Sequence, residues 1–187
     1  PSPPKADTLL NPTWTYTDSK DQAAIVSGED DISDNVTGYV TYGIGKTEFD
    51  SLASSLAQVI NDNGDTLNNV SHQRIHYRKK SAQAGFKGNF KTGQVSHDWA
   101  FSATYFNQET KFGFLRNMMS SNWQSNIYNP TWGPSVDSSF SGATLAKNAA
   151  LTTRSYGIAD TLGMLDGRLQ LTLGLRRQEV VSDTFNT

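Results

Sequence analysis

Leu169, Leu171, Leu173 and Leu175 occupy alternate positions of the stretch LQLTLGLRRQ, with Gln170, Thr172 and Gly174 between them. A period of two belongs to an extended strand, whose successive side chains point to opposite faces; a helix repeats every ~3.6 residues. One face of this strand is therefore apolar and the other polar. What the apolar side meets decides the class of protein: a protein core in a soluble β-sandwich, or lipid in a membrane barrel.

Similar segments occur in pairs. The spacing predicts hairpins over about 22–46, 73–108 and 151–180, roughly six strands in all. The turns are Ser33-Asp34-Asn35, the neighbourhood of Lys91-Thr92-Gly93, and Asp166-Gly167, the last among the strongest short hairpin signals. Val36, Val40, Tyr42 and Ile44 share a face, as do Ala82, Ala84, Phe86 and Phe90, and Trp99, Phe101, Ala103 and Tyr105. Tyr156, Ile158, Leu162 and Met164 also share one, interrupted by Asp160, for which a bulge or a rim position is the expectation. Phe90 and Trp99 flank a turn, while Tyr42 and Tyr105 lie further along, where an aromatic girdle would run.

The connections are lopsided. Segments of about 1–20, 47–72 and 109–150 read as long loops, and they alternate with the tight turns, which places all tight turns at one end of the sheet. The strands run to about 11–17 residues, against roughly 5 or 6 for an average soluble strand. Long strands, short turns on one side and long loops on the other are the pattern of an outer-membrane barrel.

Composition agrees without deciding. The 187 residues carry a net charge of −2 with no dense basic block, which removes the electrostatic case for nucleic acid. Hydrophobic residues make up 36%, and the mean hydropathy is −0.53. No apolar run is long enough for a transmembrane helix, but a barrel strand needs an apolar residue only at every second position. With no cysteine, disulfides, thiolate catalysis and zinc–thiolate sites are excluded.

The residues offer no catalytic centre. No GxSxG, P-loop or GxGxxG occurs, and the glycines of GYVTYGIG fall mid-strand. His72 and His76 lie about 13 Å apart along a strand, too far to share an ion, so a surface or rim role is expected for them and for His97. Asp18, Asp21, Glu29, Asp30 and Asp31 lack calcium-loop spacing and read as a solvated rim. Arg74, Arg78, Lys79 and Lys80 form a basic run above the apolar part of their strand, placed to meet lipopolysaccharide phosphates or simply to be solvated. From the residues alone, a soluble β-sandwich binding module stays open beside the membrane barrel.

Three hairpins carry a resemblance. RSYGIADTLGMLDGRLQLTLGLRRQ (154–178), GEDDISDNVTGYVTYGIGKTEFD (28–50) and GFKGNFKTGQVSHDWAFSATYF (85–106) occur in the order found in TonB-dependent outer-membrane ferric-siderophore receptors, and NPTWTYTD (11–18) resembles a loop entering one of their strands. That family joins an N-terminal plug to a barrel of about 22 strands. The resemblance therefore implies one part of such a barrel in the bacterial outer membrane, with the plug not covered, and with SDTFNT in place of a terminal aromatic strand. It implies a non-enzymatic receptor without cofactor. Its ligand would be a ferric siderophore, its surroundings outer-membrane lipid and lipopolysaccharide, and its energising partner the TonB complex acting through the plug. Ligand-binding candidates are the aromatic and cationic residues of the long loops: Trp14, Tyr16, Phe112, Phe114, Arg116, Trp123, Tyr128 and Trp132. The plainer role for each is packing of the loops themselves. Another outer-membrane barrel, porin-like or a cobalamin or sugar receptor, is the alternative within the class.

Overall fold

In a computed structural model, residues 2–116, 118, 122–133, 135 and 142–185 are described, the side chains of 55–57 excepted. Parts of the 109–150 connection, together with Pro1, Asn186 and Thr187, lie outside them. The described chain is one antiparallel sheet: β1 (Tyr16–Ser33), β2 (Val36–Val59), β3 (Asp65–Thr92), β4 (Val95–Leu115), β5 (Trp123–Asn126), β6 (Ala146–Met164) and β7 (Leu169–Thr184). The order is β1-β2-β3-β4-β6-β7, a meander in which chain neighbours pair. The short β5 joins the far end of β3, continuing the line that β4 leaves at Leu115. β1 and β7 are the two edges, and they do not pair with each other.

The tight turns do fall at one end. Asp34 and Asn35 join β1 to β2. Gly93 and Gln94 join β3 to β4, one residue later than the sequence suggested. Gly93 has φ 61°, which fits the first central position of a two-residue turn that a side chain would strain. The third turn also differs from expectation. Its connection is Leu165–Arg168, and Leu165 and Asp166 occupy the central positions at φ 53° and 55°, with Gly167 after them. The Gly167 N–H donates to the Met164 carbonyl at 3.1 Å.

The larger correction concerns the predicted loops. Residues 47–72 are almost all strand: β2 and β3 stay paired from Val36↔Gly88 to Val59↔Thr66, with one register shift between Ser55 and Gln58. The 109–150 loop shrinks to 116–145 and contains β5, and the opening loop ends at 15. The far ends of β2 and β3 give no alternation because polar residues stand on both faces there, so nothing in the sequence demands a period of two.

The register settles which residues share a face. One row runs Val26–Tyr42–Ala82–Tyr105 across β1 to β4, another Phe86–Phe101–Ile158–Leu175 across β3 to β7. These rows and their neighbours form a continuous, exposed apolar band, with Leu175 77% exposed. Phe90 and Trp99 lie at its turn-side margin; Tyr42, Tyr105 and Tyr156 lie toward the other. Asp160 needs no bulge: the β4–β6 ladder is regular there, and His97 Nδ1 lies 2.7 Å from its Oδ2. His97 in turn stacks on Phe90 at 4.3 Å.

The opposite face is polar. Lys87 pairs with Glu29 at 2.8 Å, the Thr37 hydroxyl donates to Asp31 at 2.8 Å, and Thr104 and Ser155 hydroxyls meet at 2.6 Å. Arg176 donates to Ser155 at 3.0 Å. Of the acidic residues singled out above, Glu29, Asp31 and, through the Thr47 hydroxyl at 2.6 Å, Asp21 are therefore in cross-strand pairs. The basic run is divided by the alternation: Arg74, Arg78 and Lys80 stand on the band's face beyond its margin, and Lys79 on the polar face.

Between these faces there is almost no interior. Among the described residues, the buried apolar side chains are Leu52, Val70 and Ala143, all at the end remote from the tight turns.

Candidate functional site

Two groups of side chains organise that remote end, one on each face. On the polar face, alternation along β4 presents Phe112 and Phe114 beside Ile75 and Gln73 of β3, and Phe49 of β2 extends the same row. The Phe112 and Phe114 rings are 6.2 Å apart. The Arg116 guanidinium lies over the Phe114 ring at 5.1 Å. Flat apolar rings beside an always-charged planar donor make a surface suited to a flat, anionic ligand. Phe49 and Ile75 belong to this row but were not singled out from the sequence, where Phe49 stands between Glu48 and Asp50 and Ile75 between Arg74 and His76 with no apolar alternation to mark them.

The other candidates lie elsewhere. Tyr16 is in β1, on the opposite face from Phe112, and donates its hydroxyl to Asp50 at 2.9 Å. Trp14 is half-buried, with its indole N–H unpaired. Trp123 stands in β5 opposite Asn68, and Gly133 lies so close to its ring that a side-chain carbon there would come within 2.7 Å. Tyr128 donates to the Ser2 carbonyl at 2.7 Å and covers Gly64. Trp132 is open to solvent. The structure thus gathers Phe112, Phe114 and Arg116, gives Trp123 and Tyr128 packing roles in the loops, and puts Tyr16 on the opposite face from the platform.

On the band's face the remote end holds a clasp. His72, 3% exposed, lies between Asp50 and the strap 142–145. Its Nε2 is 2.8 Å from Asp50 Oδ1, and its Nδ1 accepts the Ala143 N–H at 2.8 Å. Arg74 Nε is 3.2 Å from Asp50 Oδ2 without hydrogen-bond alignment, and its terminal nitrogen donates to the Ala143 carbonyl at 3.4 Å. Gly113 and Gly142 permit the close approach: a side-chain carbon on Gly113 would be 2.5 Å from the Thr144 carbonyl oxygen, and one on Gly142 would be 2.8 Å from the His72 ring. Burial raises the Asp50 pKa, but the hydrogen bonds from His72 and Tyr16 and the nearby Arg74 charge outweigh it, leaving this carboxyl below its ordinary value. His76, four residues beyond His72, is 4.0 Å from Glu48. Neither histidine belongs to a group of metal-type ligands among the described residues.

A meander of strands this long, apolar on one face and polar on the other, is an all-β antiparallel sheet of the kind that builds TonB-dependent receptor barrels. No family model matches the chain. The ferrichrome receptor FcuA of Yersinia enterocolitica is 27% identical over 193 residues, covering 100% of this chain and 24% of the receptor. The solved structure of BauA, the ferric preacinetobactin receptor of Acinetobacter baumannii, superposes with a TM-score of 0.85 at 38% identity, over 98% of this chain and 27% of that one. The fold recurs in the ferric-catecholate import receptor Fiu of E. coli K12, with a TM-score of 0.66 at 21% identity over 90% of this chain and 26% of Fiu. In sequence and in fold, the chain is similar to a stretch of TonB-dependent ferric-siderophore receptors, and it spans about a quarter of the length of the relatives it matches. These relatives are receptors, not enzymes, which supports the absence of a catalytic role.

Proposed function

We propose that the chain is part of the transmembrane wall of a bacterial outer-membrane receptor that binds a ferric siderophore and imports it in a TonB-dependent way. The observation that carries this reading is the two-faced sheet. From Ala82 to Phe90, β3 covers roughly 26 Å at about 3.3 Å per residue, near the height of a barrel's apolar band before tilt is allowed for. Its apolar face is exposed across every strand of the main path, and among the described residues no second sheet covers it. That argues for lipid as its solvent and against a soluble sandwich, whose apolar face would be buried.

In this reading the polar face lines the lumen, the tight turns are periplasmic, and the remote end is extracellular. The Phe112–Phe114–Arg116 platform then faces inward near the mouth and contacts the chelate. FcuA and BauA name different ferric siderophores, so the support reaches the ligand class and no further. Lys46, Arg78 and Lys80 border a shallow hollow of about 380 Å³ floored by Ala24 and Ile44. These cations suit contact with lipopolysaccharide phosphates at the outer leaflet. The TonB complex would act through a plug outside this chain, with the remaining strands pairing with β1 and β7.

The test is made on the full receptor in detergent, against a panel of ferric siderophores. Binding of at least one member, weakened about tenfold or more by Phe114→Ala combined with Arg116→Ala, is expected. Failure to bind any member, or a stable monodisperse protein in plain buffer, would overturn the reading.

A further inference from the structure

We propose that His72 is a proton-operated latch on the strap 142–145, holding it when neutral and releasing it when protonated. The argument concerns hydrogen-bond roles and is independent of the cargo. A backbone N–H can only donate, so the 2.8 Å contact from Ala143 N to His72 Nδ1 requires Nδ1 to carry a lone pair. Nε2 then carries the proton and donates it to Asp50 at 2.8 Å. The observed arrangement is that of one neutral tautomer, fixed from both sides. An imidazolium has N–H groups at both ring nitrogens. Its new Nδ1–H would point at the Ala143 N–H, two donors face to face in a site with little room for water.

Among the described residues, the groups facing the ring come from four strands and the strap. β1 contributes Tyr16, bonded to Asp50. β2 contributes Asp50, whose carboxylate favours the imidazolium, and β3 contributes Arg74, whose charge opposes it. β4 contributes the uncharged Leu115 opposite His72, and residues 142–145 contain no titratable side chain. With Asp50 already engaged, the contact that protonation removes is the one to the strap. Ala143 is fully buried and Gly142 lies against the ring, so loss of that bond frees the strap 142–145 from the ring.

The latch is read by residue-resolved amide hydrogen exchange on the full receptor in detergent, at about pH 7.5 and about pH 5.5, with rates corrected for intrinsic chemistry. Protection at Ala143 should fall about tenfold in acid, the order expected for one lost hydrogen bond, while ladder amides such as Ala103 stay unchanged. His72→Gln has an acceptor and a donor but no titration, and should hold the strap equally at both pH values. Asp50→Asn removes the charge that favours the imidazolium and should move the opening to lower pH. PH-independent protection in the unaltered receptor, the same acid loss in His72→Gln, or an unmoved midpoint in Asp50→Asn would each overturn the proposal.

Discussion

The apolar band and the remote clasp belong to the same strands but are stabilised in opposite ways. In the band, large side chains such as Ile158 and Leu175 stay exposed, and the main contacts within the chain are the ladder bonds. At the clasp, small and polar side chains are buried together: Val70 at 0%, Asn69 at 2% and His72 at 3% exposure. The band relies on its surroundings to act as the apolar phase. The clasp makes its own interior and satisfies it with specific hydrogen bonds, as a buried polar cluster in water must. One strand can serve both because a β ladder needs only backbone pairing to continue, and its faces take whatever solvent they meet.

The harshest way to break this contrast is to put a charge into the band. Ile158 pairs with Phe101 and Leu175, in the middle of the apolar rows. Ile158→Arg should cost about 2–4 kcal/mol if lipid lies outside, read as a fall in folding stability in lipid vesicles. A cost near zero would mean that this face is wet.

Truncation sharpens the same comparison. Val70→Ala removes two methyl groups from a fully buried site and should cost about 2 kcal/mol through lost burial and a residual cavity. Val26→Ala, in the band and 66% exposed, should cost well under about 1 kcal/mol, because lipid fills the space. Both are measured by urea unfolding of the full receptor in vesicles. Equal effects would erase the distinction between the two regions.

Acid gives a third probe. Asp50 lies six residues beyond Ile44, outside the band, and its folded pKa is below the ordinary value of 3.8. A depressed folded pKa means that its contribution is fully present above that ordinary value and is lost as pH falls through the lower folded one. The clasp should therefore keep its Asp50-dependent stability down to about pH 4 and lose it below, whereas Asp50→Asn should show no such loss.

Much of the band was legible in the sequence because an apolar neighbour enforces a period of two. The leucines 169–175 and the Tyr42 and Tyr105 positions follow from that one rule, while the hairpins also rest on their turn residues, the first arm, 22–32, mainly so. The remote end was not legible. Residues 47–72 read as a loop because polar residues on both faces leave only backbone pairing to hold the strand. His72 read as a rim residue because its partners, Asp50 and Ala143, lie 22 and 71 positions away. Of the eight loop candidates, Phe112, Phe114 and Arg116 come together because strand alternation puts them on one face. Trp123 and Tyr128 instead follow loop contacts that no local pattern announces.

The smallest expected effect lies in the third tight turn, at the opposite end from the clasp. Among the described residues, Leu165 and Asp166 are the two non-glycine residues at positive φ, at 53° and 55°. They are the central residues of the first β-turn in the four-residue connection Leu165–Arg168, and left-handed central positions favour Asn, Asp or Gly. Leu165 meets the geometry without the chemistry, and at 70% exposure its side chain gains little in return. Asn adopts this conformation more readily, so Leu165→Asn should stabilise the sheet by about 1 kcal/mol, read as a higher urea midpoint with an unchanged slope. Because the turn and Val70 sit at opposite ends and share no partner, the gain should add to the Val70→Ala loss within about 0.5 kcal/mol. A larger departure would mean that the band couples the two ends instead of insulating them.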